Sequence, residues 1–306
     1  MRDLAPIDAC PICGATTETD AAAFEPLERG IRDFEYGIER ESTYVRCRGC
    51  GLVLQSPRVG AAEIPGLYPD DYQAYKKPSS RLFSRLKDVL VGRDARRVLS
   101  MADGPAPAIL EVGCGNGAFL SRLQEVAPDA TLVGIDIKDL GVAQNPRLRF
   151  YEGQIEETEI AEGPFDVIYC SNLIEHVPDP IAFLRRLHSL LKPGAKLVLV
   201  TPNHRSLDRY VFGRYWGGYH FPRHTVLFDH KTIVAALEAT GFDARSVSGG
   251  FAYWAISMSN LLYRDAGRRP RGLAFAAITA LMLPFDLAVN LVRPHGSMTV
   301  IAARRG

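Results

Sequence analysis

From residue 108 onward, short apolar runs alternate with longer segments of helical periodicity. The runs are AILEV, TLVGIDI, LRFYEG, FDVIYCS and KLVLVTP, and two further strand candidates, DARSVSGG and SMTVIAARR, come late in the chain. Strands of that length separated by helices need crossover connections, which place the strands parallel in one sheet. The pattern therefore predicts an α/β domain built on a mostly parallel sheet.

The helices between these strands carry start and stop signals. A helix over 179–191 follows VPDP and ends at LKPG, and two more are predicted over 116–126 and 230–240. Before the domain, apolar residues at helical spacing with basic residues opposite predict a leading helix over 81–99. The alternation of strand and helix is thus continuous through this part of the chain.

A glycine-rich stretch follows the first strand. EVGCGNGAF, residues 111–119, fits both the turn that holds a dinucleotide pyrophosphate and the turn that runs under the amino acid end of S-adenosylmethionine (SAM). Asp136, at the tip of the second strand, could hydrogen-bond the ribose hydroxyls of either ligand. These two features alone leave the choice of ligand open.

The later motifs separate the two ligands. FDVIYCSNLIEHVPDP and LLKPGAKLVLVTPN, together with ILEVGCGNGAFL, GIDI and YEGQIEE, resemble in order and spacing the motifs of class I SAM-dependent methyltransferases. The resemblance covers about residues 105–205 and is strongest to the branch of ubiquinone-type O-methyltransferases. It implies a Rossmann-like, seven-stranded, mostly parallel sheet that binds SAM and not a nicotinamide dinucleotide.

The resemblance also implies a role for each residue around the donor. Glu111, Gly113, Gly115 and Gly117 would line the methionine side, Asp136 would bind the ribose, Ile137 would pack on adenine, Gln154 would accept the adenine amine, and Ser171 and Asn172 would face the reacting methyl group. Asn116 and Ile155 complete the predicted donor contacts. An alternative interpretation of Ser171 and Asn172 is that they only cap the following turn.

Two C-x-x-C pairs lie in the first part of the chain. Cys10 and Cys13 form one pair and Cys47 and Cys50 the other, each followed by glycine. Four thiolates so spaced predict a closed tetrahedral site for structural Zn²⁺, and the continuation GLVLQSPR resembles the exit strand of a zinc ribbon. Residues 1–58 are therefore predicted to be a zinc-ribbon-like unit, with paired reduced thiols without metal as the alternative.

The charge pattern bears on whether this unit docks RNA. The chain has a net charge of +1, and residues 1–58 carry acidic and basic residues in comparable numbers without a basic stripe. The fourth strand ends in CSNLIEH instead of the Asn/Asp-Pro-Pro-aromatic motif typical of methylation at nucleobase amines. Nucleic acid is therefore not the expected partner, although an rRNA or tRNA methyltransferase stays the alternative function. A noncatalytic SAM-binding module is the alternative from another class.

The acceptor is expected to bind the segment after the fifth strand. Residues 203–229 form an insert whose aromatic and polar residues suit a small-molecule pocket, with Tyr215, Trp216, Tyr219 and Arg223 as predicted substrate contacts. His220, His224 and His176 are the candidate general bases, because histidine near neutral pH can take a proton from a hydroxyl. Each of the three could instead be a structural histidine.

An apolar stretch, GLAFAAITALMLPFDLAVNLV, occupies residues 272–292. Pro284 and Asp286 interrupt it, so we expect a broken pair of short helices and no membrane span. With residues 251–271 it would form an apolar lid over the acceptor or a dimer contact, or a foot for peripheral membrane contact. The N-terminal sequence has no secretory signal, so the expected location is the cytoplasm, possibly at the inner membrane face.

These inferences combine into one expectation. Residues 1–58 form the zinc-ribbon-like unit, 59–104 a connector with the leading helix, and 105–306 a SAM-dependent methyltransferase domain. The expected activity is methyl transfer to a small-molecule acceptor, at a hydroxyl oxygen of a glycan, lipid-linked or secondary-metabolite intermediate. The sequence leaves the oligomeric state open.

Overall fold

The fold was determined as a computed structural model of the 306-residue chain. The structure describes residues 4–38, 40–60, 66–68, 81–250, 253–266, 270, 272–292 and 296–306. Most of the connector predicted after residue 59 lies outside these ranges, whereas the leading helix lies within them.

Strands dominate the first part of the described chain, and strands and helices alternate after it. In chain order the strands are β1 (Leu4–Ala5), β2 (Phe24–Arg32), β3 (Glu41–Cys47), β4 (Val53–Ser56), β5 (Arg58–Val59), β6 (Ala108–Val112), β7 (Thr131–Asp136), β8 (Arg149–Glu152), β9 (Phe165–Ser171), β10 (Leu191–Pro202), β11 (Val226–Leu227), β12 (Phe242–Gly249) and β13 (Ser297–Arg304). The α-helices are α1 (Arg81–Leu99), α2 (Ala118–Val126), α3 (Pro180–Leu190), α4 (Leu207–Phe212), α5 (His230–Ala239), α6 (Trp254–Leu262) and α7 (Leu273–Val292).

Within the described ranges, the large sheet has seven strands in the order β8-β7-β6-β9-β10-β13-β12. β6, β7, β8, β9 and β10 run parallel, and β13 runs antiparallel to both of its neighbours, β10 and β12. The strand order reverses beside β6, so a crevice opens there at the carboxyl ends of the strands. The predicted α/β class and the seven-stranded, mostly parallel sheet are confirmed.

Alternating strand residues fill two hydrophobic cores, one on each face of the sheet. On β6, Leu110 and Val112 pack with residues of α3 and α5, whereas Ile109 packs with residues of α1 and α2. Both faces are therefore covered by helices, which explains why these strands read as nearly continuous apolar runs. α3 begins after Asp179, whose carboxylate accepts backbone N–H bonds from Ile181 and Ala182, as the start signal predicted.

The first 60 residues build a second, antiparallel sheet in which the order of the described strands is β11-β4-β3-β2. β2 and β3 form a hairpin between the two cysteine pairs, and β4 follows the second pair. The fourth strand, β11, comes from the insert after β10, with Val226 opposite Leu54 and Leu227 opposite Val53. The small sheet is thus completed by a segment distant in sequence.

The N-terminal unit also shares its hydrophobic cores with the larger domain. Cys10, Cys47 and Leu52 pack in the same cluster as residues of β6 and α3. A further cluster joins Tyr44 of β3 with Trp216 and other aromatic residues of the insert. The unit and the insert are therefore packed together and not joined by a bare linker.

The prediction of two short helices over 272–292 is wrong, because α7 runs unbroken from Leu273 to Val292 with Pro284 inside it. A proline removes one backbone hydrogen bond, but the surrounding alanine, leucine and methionine residues favour helix strongly enough to continue it. Along α7, leucines 273, 281, 283 and 287 are exposed. Among the described helices, none combines the length and hydropathy needed to cross a membrane.

Tyr44 of β3 links the small sheet to the insert through its hydroxyl group. The side chain is fully buried, and its hydroxyl lies 2.6 Å from the backbone carbonyl oxygen of His224 and 3.0 Å from that of Tyr219. A hydroxyl has one proton to donate, so it is shared between, or alternates between, two carbonyls of the insert. The insert is therefore anchored on β3 by a polar contact inside an aromatic cluster.

We predict that Tyr44→Phe lowers the free energy of unfolding by about 1–3 kcal/mol, because it leaves buried carbonyl oxygens of the insert without a partner. Urea unfolding followed by circular dichroism measures the change. Tyr210→Phe is the matched control, since the Tyr210 side chain is 60% exposed. An equal and negligible effect of both substitutions would contradict the anchoring role of Tyr44.

Candidate donor and acceptor site

The glycine loop crosses from β6 to α2 in a left-handed backbone conformation. Gly113, Gly115 and Gly117 have φ angles of 74°, 53° and 69°, which side-chain-bearing residues rarely adopt. Gly113 N–H donates to the carbonyl of Ile135, and Gly115 N–H donates to the carboxylate of Asp136 at 2.7 Å. The loop is thus fixed against the end of β7, so the glycine motif and Asp136 lie side by side.

The space around the loop differs from one glycine to the next. A Cβ atom added to Gly115 would meet no atom within 4 Å, whereas one added to Gly113 would lie 3.2 Å from Leu173. The backbone at Gly115 is therefore open for close approach by a ligand. α2 begins at Ala118, two residues later than predicted, because Gly117 still has the left-handed conformation.

Two buried carboxylates lie near the loop. Glu111 is 6% exposed, and its Oε2 atom has no hydrogen-bond partner among the described residues. Burial, together with the neighbouring charge of Asp136, raises the pKa of Glu111 well above its usual value, and burial also raises the pKa of Asp136. A ligand that brings hydroxyl groups or a positive charge to the loop would stabilise the ionised form of Asp136, and SAM has both.

The predicted adenine end lies at the termini of β7 and β8. Ile137 is 37% exposed, Ile155 is buried, and Gln154 has an exposed side chain at the same edge. At the end of β9, Asn172 has a φ of 51°, and its side-chain amide donates to the hydroxyl of Ser171 at 3.1 Å. Both side chains line the same cavity as the glycine loop.

That cavity has a volume of about 570 Å³ and extends from the donor residues to the insert. Many of the residues predicted from the sequence line this cavity. They are Gly113, Gly115, Asp136, Ile137, Gln154, Ile155, Ser171, Asn172, His176, His220 and His224. Glu111, Asn116 and Gly117 are not among the described lining residues. All three candidate bases are therefore brought to one cavity with most of the candidate donor residues.

The three histidines form a compact cluster whose potential ligand nitrogens lie within 4.8 Å of one another. The His176 and His224 rings are nearly perpendicular, with centroids 4.6 Å apart. Burial, followed by the charges of His220 and Arg223, lowers the pKa of His176 to about 3. Burial and the other two histidines also lower the pKa of His224 well below its usual value. Two of the three imidazoles are thus neutral near pH 7.

Each histidine is held by a hydrogen bond. Nδ1 of His224 donates to the carbonyl of Gly218 at 2.7 Å, and Nδ1 of His176 lies 2.8 Å from the hydroxyl of Tyr68. Nε2 of His220 lies 2.6 Å from a carboxylate oxygen of Glu35. Glu35 and Tyr68 also line the cavity.

Beneath His224 lies a buried acid, Glu175. It accepts a hydrogen bond from the hydroxyl of Thr201 at 2.9 Å, and its other carboxylate oxygen lies 3.9 Å from Nε2 of His224. Burial raises the pKa of Glu175 to about 8, so it is largely protonated at pH 7. Glu175 therefore adds little negative charge to the cluster.

The structure places the four predicted substrate contacts away from the described cavity lining. Trp216 is 1% exposed and its indole N–H donates to Asp208, while Tyr219 is 2% exposed and packs on Tyr44 at a ring distance of 4.8 Å. Tyr215 packs against Phe34. These aromatic rings fill the core between the insert and the small sheet, since large aromatic side chains bury the most apolar area there.

Arg223 is also a buried structural residue. Its guanidinium donates to the carbonyl of Leu67 at 2.9 Å, lies over the ring of Tyr36 at 4.5 Å and is 3.9 Å from Asp33. It therefore connects the insert to the N-terminal unit and to the residues just after it. Its positive charge remains close enough to His176 to influence that histidine's pKa.

Several residues at the cavity were not identified from the sequence, among them four near the histidines. Glu35 lies between the cysteine pairs, Tyr68 in the connector, and Tyr253 and Ile256 at the start of α6. The acidic and aromatic cluster RDFEYG around Glu35 is the signal that could have found it. The other three carry no local motif.

The four N-terminal cysteines form a separate cluster, with their sulfur atoms within 4.8 Å of one another. Cys10 and Cys50 are 3.5 Å apart, as are Cys13 and Cys47. The two knuckles have the same backbone bonds: the N–H of the glycine after each pair, Gly14 or Gly51, donates to the carbonyl of the first cysteine. The sulfur atoms of both pairs are thereby turned to one point.

The sheet order, the glycine loop and the acid at the end of the second parallel strand define a protein of the Rossmann-like methyltransferase type. A family model described as methyltransferase domain matches residues 81–247, which is more than half of the chain. The chain therefore belongs to the methyltransferase domain family.

Curated relatives match the central part of the chain. Trans-aconitate 2-methyltransferase from Deinococcus radiodurans is 30% identical over 44% of this chain and 50% of its own length. Ubiquinone biosynthesis O-methyltransferase from Xanthomonas campestris is 36% identical over 32% of this chain and 44% of its own length. The chain thus spans about half the length of the curated relatives it matches.

Among solved structures, the fold is similar to 1,6-didemethyltoxoflavin-N1-methyltransferase from Burkholderia thailandensis, determined with bound 1,6-didemethyltoxoflavin and S-adenosylhomocysteine. The TM-score is 0.53 at 14% identity, and the match covers 92% of this chain and 100% of the other. At this identity the similarity establishes the fold alone.

The low pKa of His176 predicts a dependence of stability on pH. The unfolded chain binds a proton at this residue below about pH 6.5, whereas the folded protein does so only near pH 3, so stability falls as the pH drops from 6.5. When the pH is lowered from 8 to 5.5, the free energy of unfolding should decrease in the wild type. In His176→Gln this decrease should be smaller by about 1 kcal/mol. Urea unfolding at both pH values measures this difference.

His230→Gln is the matched control, because His230 is exposed at the start of α5. The control should lose as much stability on acidification as the wild type. An identical pH dependence in the wild type and His176→Gln would show that His176 titrates alike in both states.

Proposed function

We propose that this protein transfers the methyl group of SAM to a small-molecule acceptor, at a hydroxyl oxygen. The observation that carries the proposal is the single cavity that joins the glycine loop and Asp136 to the three histidines. One end offers open backbone and a carboxylate suited to a nucleoside with a charged tail, and the other offers neutral imidazoles. The names of the curated relatives, which are methyltransferases, agree with this assignment.

SAM supplies an activated methyl group on a sulfonium. In the proposed site, Gly115 and Asp136 would hold the amino acid and ribose parts, and Ile137 and Gln154 the adenine. The residues at the other end must hold the acceptor oxygen in line with the carbon–sulfur bond and exclude water, because alignment is the main contribution to such a displacement. A hydroxyl that stays protonated also needs a base, which the histidine cluster would provide.

The cavity favours a small molecule over RNA as the acceptor. Its volume of about 570 Å³ lies within the usual range for small-molecule sites and must hold both the donor and the acceptor. The small sheet that could dock another molecule is instead paired with β11 and packed against the insert. The N-terminal unit is therefore assigned to building the acceptor side.

Donor binding gives the first test. Isothermal titration calorimetry should detect binding of SAM and S-adenosylhomocysteine, and Asp136→Ala should weaken both by at least about tenfold through loss of charge-assisted bonds to the ribose. Asp129→Ala is the control, since Asp129 is exposed in the turn before β7. Binding of NADH without binding of SAM would contradict the donor assignment.

The acceptor class is tested by the release of S-adenosylhomocysteine. The protein is incubated with SAM and a panel of phenols, sugars, carboxylic acids and amines. Product with hydroxylated compounds supports the proposal. Product only with amines or carboxylic acids contradicts methylation at a hydroxyl oxygen.

We also propose that Cys10, Cys13, Cys47 and Cys50 hold one structural Zn²⁺. Four sulfur donors with close, turned-in geometry suit a closed tetrahedral site. Close approach in the second knuckle supports the assignment, since a Cβ atom added to Gly49 would lie 3.0 Å from the sulfur of Cys13. Zinc would neutralise thiolates that otherwise crowd one another at the edge of the shared core.

The zinc proposal predicts about one zinc ion per chain by elemental analysis. Cys47→Ala should abolish most of this zinc and lower the melting temperature by several degrees, because metal binding is coupled to folding of the unit. Cys170→Ala is the matched control, as Cys170 is an equally buried thiol in β9 outside the cluster. Full stability of the wild type after complete chelation would contradict a structural role.

A further inference from the structure

Glu35 is held in a tight turn between the two strands of the N-terminal hairpin. The Asp33 carboxylate accepts the backbone N–H groups of Glu35 at 2.8 Å, Tyr36 at 3.2 Å and Ile38 at 3.3 Å. Asp33 and Glu35 are each 5% exposed. The turn is therefore held by the side chain of one of its own residues, Asp33. It places the buried carboxylate of Glu35 at the wall of the cavity.

His220 lies opposite this carboxylate in a backbone conformation that is unusual for its type. Its φ is 36°, in the left-handed region, which costs a residue with a side chain about 1 kcal/mol or more. The neighbouring residue Tyr219 is anchored by Tyr44, and Arg223 N–H donates to the carbonyl of His220 at 3.0 Å. The surrounding contacts thus maintain a strained position that places the imidazole 2.6 Å from Glu35.

We propose that Glu35 is a positioning residue for His220, which acts as the general base. The Glu35 carboxylate accepts the Nε2 proton of His220, so Nδ1 is left unprotonated and able to take the proton of the acceptor hydroxyl. This inference rests on the proposed methyl transfer. It assigns a part of the catalytic arrangement to the N-terminal unit, outside the matched family region of residues 81–247.

In the proposed step, SAM gives its methyl group to the acceptor oxygen. An electron pair of the acceptor oxygen forms the new bond to the methyl carbon, and the electrons of the carbon–sulfur bond stay on sulfur, giving S-adenosylhomocysteine. The hydroxyl proton moves to Nδ1 of His220. The imidazolium that results is stabilised by the negative charge of Glu35, in the way a buried carboxylate stabilises a histidine base.

The groups around His220 differ in how they affect its protonation. His224 lies with its ring centroid 4.9 Å from that of His220, and His176 lies at 6.2 Å. Arg223, on the same segment, carries a fixed positive charge and disfavours protonation of the cluster. Glu35 is an acid in direct contact with His220, and its negative charge opposes these effects. Without it, His220 would be a weaker base.

This arrangement narrows the class of acceptor. A carboxylate acceptor is already deprotonated and needs no base, and it would be repelled by the negative charge of Glu35. A neutral hydroxyl, as in a phenol, an enol or a sugar, gains from a base and meets no such repulsion. The Glu35 and His220 pair therefore favours a protonated hydroxyl group as the methyl acceptor.

The pair can be tested without knowing the acceptor. Two-dimensional ¹H–¹⁵N spectra of the zinc-loaded full chain, labelled at its seven histidines, report the tautomer and pKa of each imidazole. The His220 signals are identified by their loss in His220→Asn. We expect His220 to carry its proton on Nε2 in the neutral form. We expect Glu35→Gln to lower its pKa by about one pH unit or more.

Glu18→Gln is the matched control, because it removes the same charge from an exposed site of the N-terminal unit. It should leave the His220 titration unchanged. Glu35→Asp keeps the charge with a shorter reach and should give an intermediate pKa, which keeps the test decisive if Glu35→Gln unfolds. An unchanged His220 titration in folded Glu35→Gln would overturn the proposal, as would a second metal ion bound at His220.

The pH dependence of turnover with a hydroxylated acceptor tests the role of Glu35 in catalysis. The rate should rise with pH through the pKa of the base, so in Glu35→Gln this acid limb should move to lower pH while the plateau falls at least tenfold. SAM affinity should stay near wild type, because the donor residues are unaltered. Loss of SAM binding by the wild type would defeat the proposed function, whereas an unmoved acid limb with intact SAM binding would defeat only the role of Glu35.

Discussion

The pairing of β4 with β11, together with the hydrogen bonds of the Tyr44 hydroxyl, is the contact on which the position of the insert depends. It joins residues about 180 positions apart, since Tyr44 donates to the carbonyl of His224. His220 and His224 lie between the short helix α4 and strand β11, and this contact helps to fix where the two histidines lie. The small sheet thus holds the part of the insert that carries His220 and His224.

The two ends of the cavity are stabilised in different ways. The donor end follows from short-range geometry: a strand, a left-handed glycine turn and a helix, with Gly115 bonded to Asp136. The end of the cavity at the histidines is held by contacts between buried polar groups and aromatic rings that are distant in the chain. The N-terminal unit thus supplies part of the cavity wall opposite the glycine loop through Glu35.

The same distinction explains what could be predicted from sequence. The seven strands, helix α3 and the placement of the glycine loop beside Asp136 were predictable because each depends on residues that are close in the chain or on a pattern of fixed order. The partner of His220 was not, because Glu35 lies 185 positions away. Trp216 and Arg223 were predicted to contact substrate, and the structure shows both side chains buried. Their burial depends on packing against the small sheet, which no local sequence pattern reveals.

We infer that the N-terminal unit organises the part of the cavity wall that carries His220 and His224. Hydrogen exchange measured by mass spectrometry, before and after removal of zinc with a chelator, tests it directly. We expect chelation to increase exchange in residues 213–228 as well as in the N-terminal unit, while β6, β7 and β9 stay protected. An increase confined to the first 60 residues would contradict the claim that the insert depends on that unit.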